Sequence, residues 1–183
     1  MSKKILVLTA SPRKNGNTFK LAEAFIRGAE SAGNEVMRFD TAFMNIGGCN
    51  ACNTCWSTGP ACTVRDDFAQ LEPALESCDV LLISTPLFWF SFPQQIKGAI
   101  DRLYAYGGTG GPRPLTIKES YFFVCGGDSD EEEYQPVLAT YRNIAGYLGW
   151  TDKGIIRTGG LNADGDVEKS GLLEKAEEMG RNV

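Results

Sequence analysis

Ile5-Leu6-Val7-Leu8, followed by Thr9-Ala10-Ser11-Pro12-Arg13-Lys14-Asn15-Gly16-Asn17-Thr18 and then by Leu21, Ala22, Phe25, Ile26 and Ala29, decides how this chain folds. Four contiguous apolar residues without alternation read as a strand buried on both faces. The next five apolar residues form one helical stripe within Asn17 to Ala32. Gly33-Asn34 ends that helix. A buried strand, a polar loop and a helix make the opening unit of a parallel sheet.

The unit recurs along the chain. Glu35 to Phe39 reads as a second strand. Asp66 to Ser77 is partly helical, with Pro73 expected to kink it or to mark a first turn. Val80-Leu81-Leu82-Ile83 is a third strand, and Pro93 to Tyr104 a helix with Ile96, Ile100, Leu103 and Tyr104 inward. Tyr121 to Cys125 is a fourth strand. Pro136 to Leu148 is a helix, Ile155-Ile156 sits in a fifth strand, and Asp166 to Gly180 is a last helix. Strand–helix alternation with apolar strands predicts a doubly wound α/β sandwich of three layers. Five parallel strands suit the flavodoxin-like order 2-1-3-4-5. The acidic run Asp128 to Glu133 reads as a solvated helix start, where acids oppose the helix dipole favourably.

Composition narrows the function. The chain has 183 residues, 43% of them hydrophobic, which suits a single domain with a real core. Lys plus Arg number 18 against 23 Asp plus Glu, a net charge of −5, so a nucleic-acid partner is not expected. No run of about 18 apolar residues suggests a membrane span. The start Met1-Ser2-Lys3-Lys4 does not read as a secretory leader, and a cytoplasmic protein with reduced thiols is expected. There is no histidine. An imidazole base and a histidine-ligated metal are therefore excluded. Catalysis must rest on carboxylates, thiols, hydroxyls, backbone amides or a bound cofactor.

In a sheet of this order, ligands bind beyond the carboxyl ends of the strands at the switch point between the first and third. Three loops should meet there. In the first, Ser11, Arg13, Gly16, Asn17 and Thr18 cluster donors at a helix N-terminus, whose free amides favour an anion. A phosphate site fits better than a plain polar loop with a helix cap. Neither a P-loop nor a dinucleotide-binding fingerprint is present. The second loop is Thr85-Pro86-Leu87-Phe88-Trp89-Phe90, continued by Ser91-Phe92-Pro93. Its large apolar residues either complete the core or wall a pocket for a flat ligand; beside a phosphate loop, a flavin ring is the better reading. In the third loop, Gly126 and Gly127 permit positive φ and close backbone approach, followed by Asp128. A tight turn without ligand is the alternative there.

The stretch from about residue 40 to 65 is too long for an ordinary connection, and long loops tend to be functional. It carries Cys49-x2-Cys52-x2-Cys55-x6-Cys62. Short two-residue intervals resemble the run that wraps an iron–sulfur cluster. Zinc motifs place a longer spacer between pairs. Unligated thiols, a C-x-x-C redox pair and adventitious zinc stand beside a [4Fe–4S] cluster as readings. Cys78 and Cys125, next to strands, read as small core residues.

Ser11-Pro12-Arg13…Gly16-Asn17-Thr18, then Thr85-Pro86-Leu87-Phe88-Trp89-Phe90-Ser91-Phe92-Pro93 and Ile100-Asp101-Arg102 together resemble the NADPH-dependent FMN reductase family, over nearly the whole chain. The resemblance implies FMN, with its phosphate on the first loop and its ring against the second and third. It also implies reduction by NADH or NADPH, and a homodimer or homotetramer with the flavin near an interface. Acceptors implied are quinones, nitroaromatics, free flavin or a redox protein. Family members often carry Ser where Gly16 stands, so backbone amides must serve there. Cys49, Cys52, Cys55 and Cys62 further resemble the motif of the iron–sulfur flavoproteins. That likeness implies an electron carrier without direct NAD(P)H oxidation as the alternative function.

Overall fold

The computed structural model describes residues 2–57, 59–107 and 113–183. Its elements are β1 (Lys4–Thr9), α1 (Asn17–Ser31), β2 (Glu35–Asp40), α2 (Phe68–Ser77), β3 (Val80–Pro86), α3 (Gln94–Arg102), β4 (Glu119–Cys125), α4 (Gln135–Leu148), β5 (Thr151–Thr158) and α5 (Leu172–Arg181). All five strands run parallel in the order β2-β1-β3-β4-β5, as expected.

Side-chain alternation along each strand splits the core into two layers. Leu6, Leu8, Leu81, Ile83, Phe122 and Val124 face α2, α3 and α4. Ile5, Val7, Val80, Leu82, Tyr121 and Phe123 face α1 and α5. Both faces of β1, β3 and β4 are thus covered, which is why these strands read as unbroken apolar runs. On the second face α1 and α5 approach until their backbones touch. A Cβ on Gly28 would lie 1.9 Å from Glu177 O, and one on Gly180 2.0 Å from Phe25 O. Only glycine permits that contact.

Three element readings change in detail. Pro73 is the sixth residue of α2, not part of a first turn, and the helix begins only at Phe68. The last helix is interrupted. Asp166–Lys169 forms a 3₁₀ turn, Gly171 adopts φ 72°, and α5 starts at Leu172. α3 stops at Arg102 and continues as a 3₁₀ turn, Leu103–Tyr106. Among the described residues, no helix is long and apolar enough to cross a membrane.

Candidate functional site

β1 feeds α1 and β3 leads towards α3 on opposite sides of the sheet, and a cleft of about 260 Å³ opens where they part. The first loop forms its floor. Gly16 is the N-cap of α1 and has no side chain to cap the helix. The first intrahelical bond is Lys20 N–H to Gly16 O, at 3.1 Å. The amides of Asn17, Thr18 and Phe19 therefore keep the unspent donors of a helix start. No carboxylate sits in that first turn to quench its partial positive charge. Thr18 is 3% exposed, and its hydroxyl has no partner among the described residues. Ser11 Oγ accepts from Arg13 N–H at 3.0 Å, fixing the loop's turn. Arg13 Nη1 faces Asp164 Oδ1 at 3.4 Å.

Asn17 behaves differently from the sequence expectation. Its side chain lines the cleft, but its hydrogen bonds are spent elsewhere. Nδ2 donates to Ala163 O at 3.0 Å, and Oδ1 accepts from Gly165 N–H and Val167 N–H, both at 3.1 Å. The residue is an anchor for the β5–α5 loop, with its backbone amide and the second N–H of Nδ2 left for a ligand. That loop contributes Leu161, Asn162 and Asp164 to the cleft, a fourth wall missing from the sequence reading. Its only sequence signal is Gly159-Gly160 just beyond a strand end.

Pro86, Leu87 and Phe88 line the cleft from the second loop, and Cys125, Gly126 and Gly127 from the third. The two glycines are required for space, not for positive φ, which neither adopts. A Cβ on Gly126 would meet Tyr134 Oη at 2.5 Å, and one on Gly127 would meet Asn162 Oδ1 at 2.8 Å. Tyr134 is fully buried, and burial pushes its hydroxyl up to about 12, so it stays a donor. It bonds Asp128 O at 2.9 Å and Thr158 O at 3.2 Å.

Four residues expected at the ligand do not line the cleft. Thr85 is buried and donates to Pro86 O at 3.0 Å. The Asp128 carboxylate accepts from Asp130 N–H at 2.9 Å, turning the chain into the acidic run. Trp89 and Phe90 stand outside in a two-residue hairpin, bridged by Phe88 and Ser91. Both take positive φ, 45° and 62°. Such a turn favours Asn-Gly, so two aromatics there carry backbone strain of the kind found at functional sites. Trp89 is 91% exposed, whereas Phe92 completes the core.

Cys49, Cys52, Cys55 and Cys62 do share one small cavity, with Arg102 and Tyr104 in its wall. Arg102 is buried and donates through Nη1 to both carboxylate oxygens of Asp66, at 2.7 and 2.6 Å. Its Nη2 donates to Cys62 Sγ at 3.2 Å and Val64 O at 3.1 Å. Burial works against the Asp66 charge, but these bonds, with amides of Gly47 and Phe68, hold the carboxyl below its ordinary range. The Thr54 hydroxyl lowers the Cys52 thiol, while burial raises that of Cys55. The cavity measures about 20 Å³, room for one water. Among the described residues, no group of three or more cysteines or carboxylates is disposed to hold a metal ion. Cys78 and Cys125 are buried as expected, and burial pushes each up to about 12.

Comparison with known proteins agrees with this fold. An iron-sulfur flavoprotein of Archaeoglobus fulgidus is 33% identical over 118 residues, 64% of this chain and 51% of that protein. The chain thus spans about half the length of this relative. A putative NAD(P)H-dependent FMN-containing oxidoreductase of Bacillus subtilis, YwqN, is 24% identical over 168 residues, 90% of this chain and 88% of the relative. Among solved structures, an NAD(P)H:quinone oxidoreductase from Methanothermobacter marburgensis superposes with a TM-score of 0.75 at 22% identity, covering 100% of this chain and 97% of that one. The family model described as flavodoxin-like fold matches residues 3–183, and the chain belongs to that family.

Proposed function

We propose that this chain is an oxidoreductase that binds FMN in the cleft and passes electrons from NAD(P)H to a small acceptor. The observation that carries the reading is the uncapped start of α1, opening into a cleft at the sheet's switch point, with the Thr18 hydroxyl unpartnered among the described residues. These donors fit a phosphate. The amides of residues 17–19, Thr18, Ser11 and Arg13 would hold it. Leu87, Phe88 and the side-chain-free backbone of Gly126 and Gly127 offer the narrow, mostly apolar walls that suit a flat ring. The name of the relative that covers 90% of the chain supports the same cofactor and reductant.

When bound, FMN supplies a hydride acceptor, and the chemistry then needs no protein acid or base. The chain's own part is to bind, orient and shield. Arg13 gives charge at the phosphate end, and the Phe88–Ser91 hairpin stands beside the cleft as an aromatic edge for a planar acceptor such as a quinone or a nitroaromatic. Exposed Trp89 and Tyr147 support an assembled form, a homodimer or homotetramer.

The test is a titration of the purified chain with FMN, followed by flavin fluorescence, and then anaerobic addition of NADH or NADPH. Quenching on binding and prompt bleaching of the visible flavin band are expected. Failure to bind FMN overturns the reading. Bound flavin that keeps its colour with both nicotinamides replaces it with a carrier that receives electrons from another protein.

A further inference from the structure

Two opposite charges line the cleft, and both stand at the start of α1. Among the described residues of the lining, Arg13 is the only base and Asp164 the only acid. They come from different loops, β1–α1 and β5–α5, and meet at 3.4 Å. Asp164 is held there through its two neighbours. Ala163 O accepts from Asn17 Nδ2, and Gly165 N–H donates to Asn17 Oδ1, Asn17 being the first residue of α1. The same loop is tied to the end of β4 by Leu161 N–H, which donates to Gly126 O at 3.1 Å. Asp166, the other carboxylate of this loop, is spent on the amides of Asn162 and Ala163, at 3.0 and 2.7 Å. Asp164 has only Arg13 as a hydrogen-bond partner among the described residues, and its side chain is half exposed.

Positive charge at this end is already committed. Arg13 faces Asp164, and Lys20 is paired with Glu168. Lys14 does not line the cleft, and its ammonium lies 4.8 Å over the Phe43 ring. The uncapped amides of α1, with Thr18, Ser11 and Arg13, provide for one phosphate. A second phosphate joined to the first would find no unpaired cation in these loops and would meet a carboxylate of its own sign.

We propose that Asp164, bridged to Arg13 at the phosphate end of the cleft, is a specificity-determining residue that restricts the site to a flavin ending in a phosphate monoester and turns away FAD. The proposal rests on the reading that the FMN phosphate lies at the start of α1. FMN stops at that phosphate. FAD carries the same ring but continues through a second phosphate to adenosine, and this continuation leaves the phosphate end beside the Arg13–Asp164 bridge. Asn17 acts here as a positioning residue, because it fixes the residues on either side of Asp164.

The experiment titrates the full chain with FMN, FAD and riboflavin by calorimetry, at low salt and at about 0.5 M salt, for wild type, Asp164→Asn and Asp164→Glu. Wild type should bind FMN at least about tenfold more tightly than FAD. Asp164→Asn should narrow that ratio about threefold or more at low salt, the size of an exposed charge contact, and less at high salt. Asp164→Glu keeps the charge and should keep the ratio. Circular dichroism confirms that both variants are folded. FAD bound as tightly as FMN by wild type, a ratio that Asp164→Asn leaves unchanged, or equal losses with Asn and Glu overturns the proposal while FMN binding stands. Riboflavin bound as tightly as FMN, or no flavin bound at all, removes the phosphate assignment and the proposal with it.

Discussion

Replacing Gly126 with alanine puts a methyl carbon 2.5 Å from Tyr134 Oη and 3.2 Å from its Cζ. Tyr134 is wholly buried and cannot swing aside into solvent. Forcing an added methyl into a closed site costs about 1–3 kcal/mol, and about 2 is expected here. In a chain of this size, that lowers Tm by roughly 4–8 °C. Tyr134→Phe removes the atom that is struck. On its own it costs about 1 kcal/mol, the worth of one donated hydroxyl bond. The two carbonyls it leaves stay satisfied, Asp128 O by Gly160 N–H and Thr158 O by Gly126 N–H, both at 3.1 Å. In the Tyr134→Phe background, Gly126→Ala should therefore cost less than about 1 kcal/mol, a coupling of roughly 1 kcal/mol between the two sites. Urea midpoints of the four ligand-free proteins measure it. Equal costs in both backgrounds would refute the claim that Gly126 is required for Tyr134.

Asp66→Asn breaks the buried pair with Arg102 and should cost about 3–5 kcal/mol at neutral pH. The carboxyl is held below its ordinary 3.8, so its stabilisation is complete above that value and fades as pH falls through the lower, folded-state pKa. The gap between wild type and variant, followed by urea unfolding, should close below about pH 4; a gap independent of pH sinks this reading. Asn17→Ala removes three bonds to residues 163–167, each worth about 1 kcal/mol. Hydrogen exchange there should quicken while β1 and β3 stay protected. Ser11→Ala combined with Thr18→Ala should weaken FMN binding by at least about tenfold, the effect of about 1.4 kcal/mol; unchanged flavin retention counts against the phosphate assignment. Trp89→Gly should leave Tm level or raise it slightly, since glycine adopts φ 45° freely and the indole buries almost nothing. A marked fall in Tm would show that the hairpin relies on that ring.

The strand order and the position of the cleft were legible because buried parallel strands need no partner information to be recognised, and the ligand end of such a sheet follows from its topology. Ser11, Gly16 and Thr18 were legible for the same local reason, their place at a helix start. Asn17 was harder. A side-chain amide at that place serves a ligand or a neighbouring loop equally well, and the loop it ties is about 150 residues away. Leu161, Asn162 and Asp164 carry no pattern of their own; β5, the Asn17 bonds, the bond from Leu161 N–H to Gly126 O and the Arg13–Asp164 pair bring them to the cleft. Of the two properties read for Gly126 and Gly127, positive φ is not used, while close approach is, to Tyr134 and to Asn162, neighbours that local sequence does not reveal. Trp89 and Phe90 read as pocket wall because they are apolar, and the structure places them exposed at the tip of the hairpin beside the cleft. Their left-handed backbone, which turns them outward, has no signature in residue types that normally avoid it.

Gly47 N–H donates to Asp66 at 2.9 Å, while Arg102 grips Asp66, Cys62 and Val64 from α3. The excursion between 47 and 66 is thereby a sealed ring, its mouth cinched independently of whatever lies inside. Once ends are pinned, doubling the length of a flexible loop costs only about 0.6 kcal/mol. Only the exposed stretch 48–53 is therefore free to be lengthened, because Ala61 is buried in the core, Cys55 and Cys62 pack against it, and Arg102 holds Cys62 and Val64.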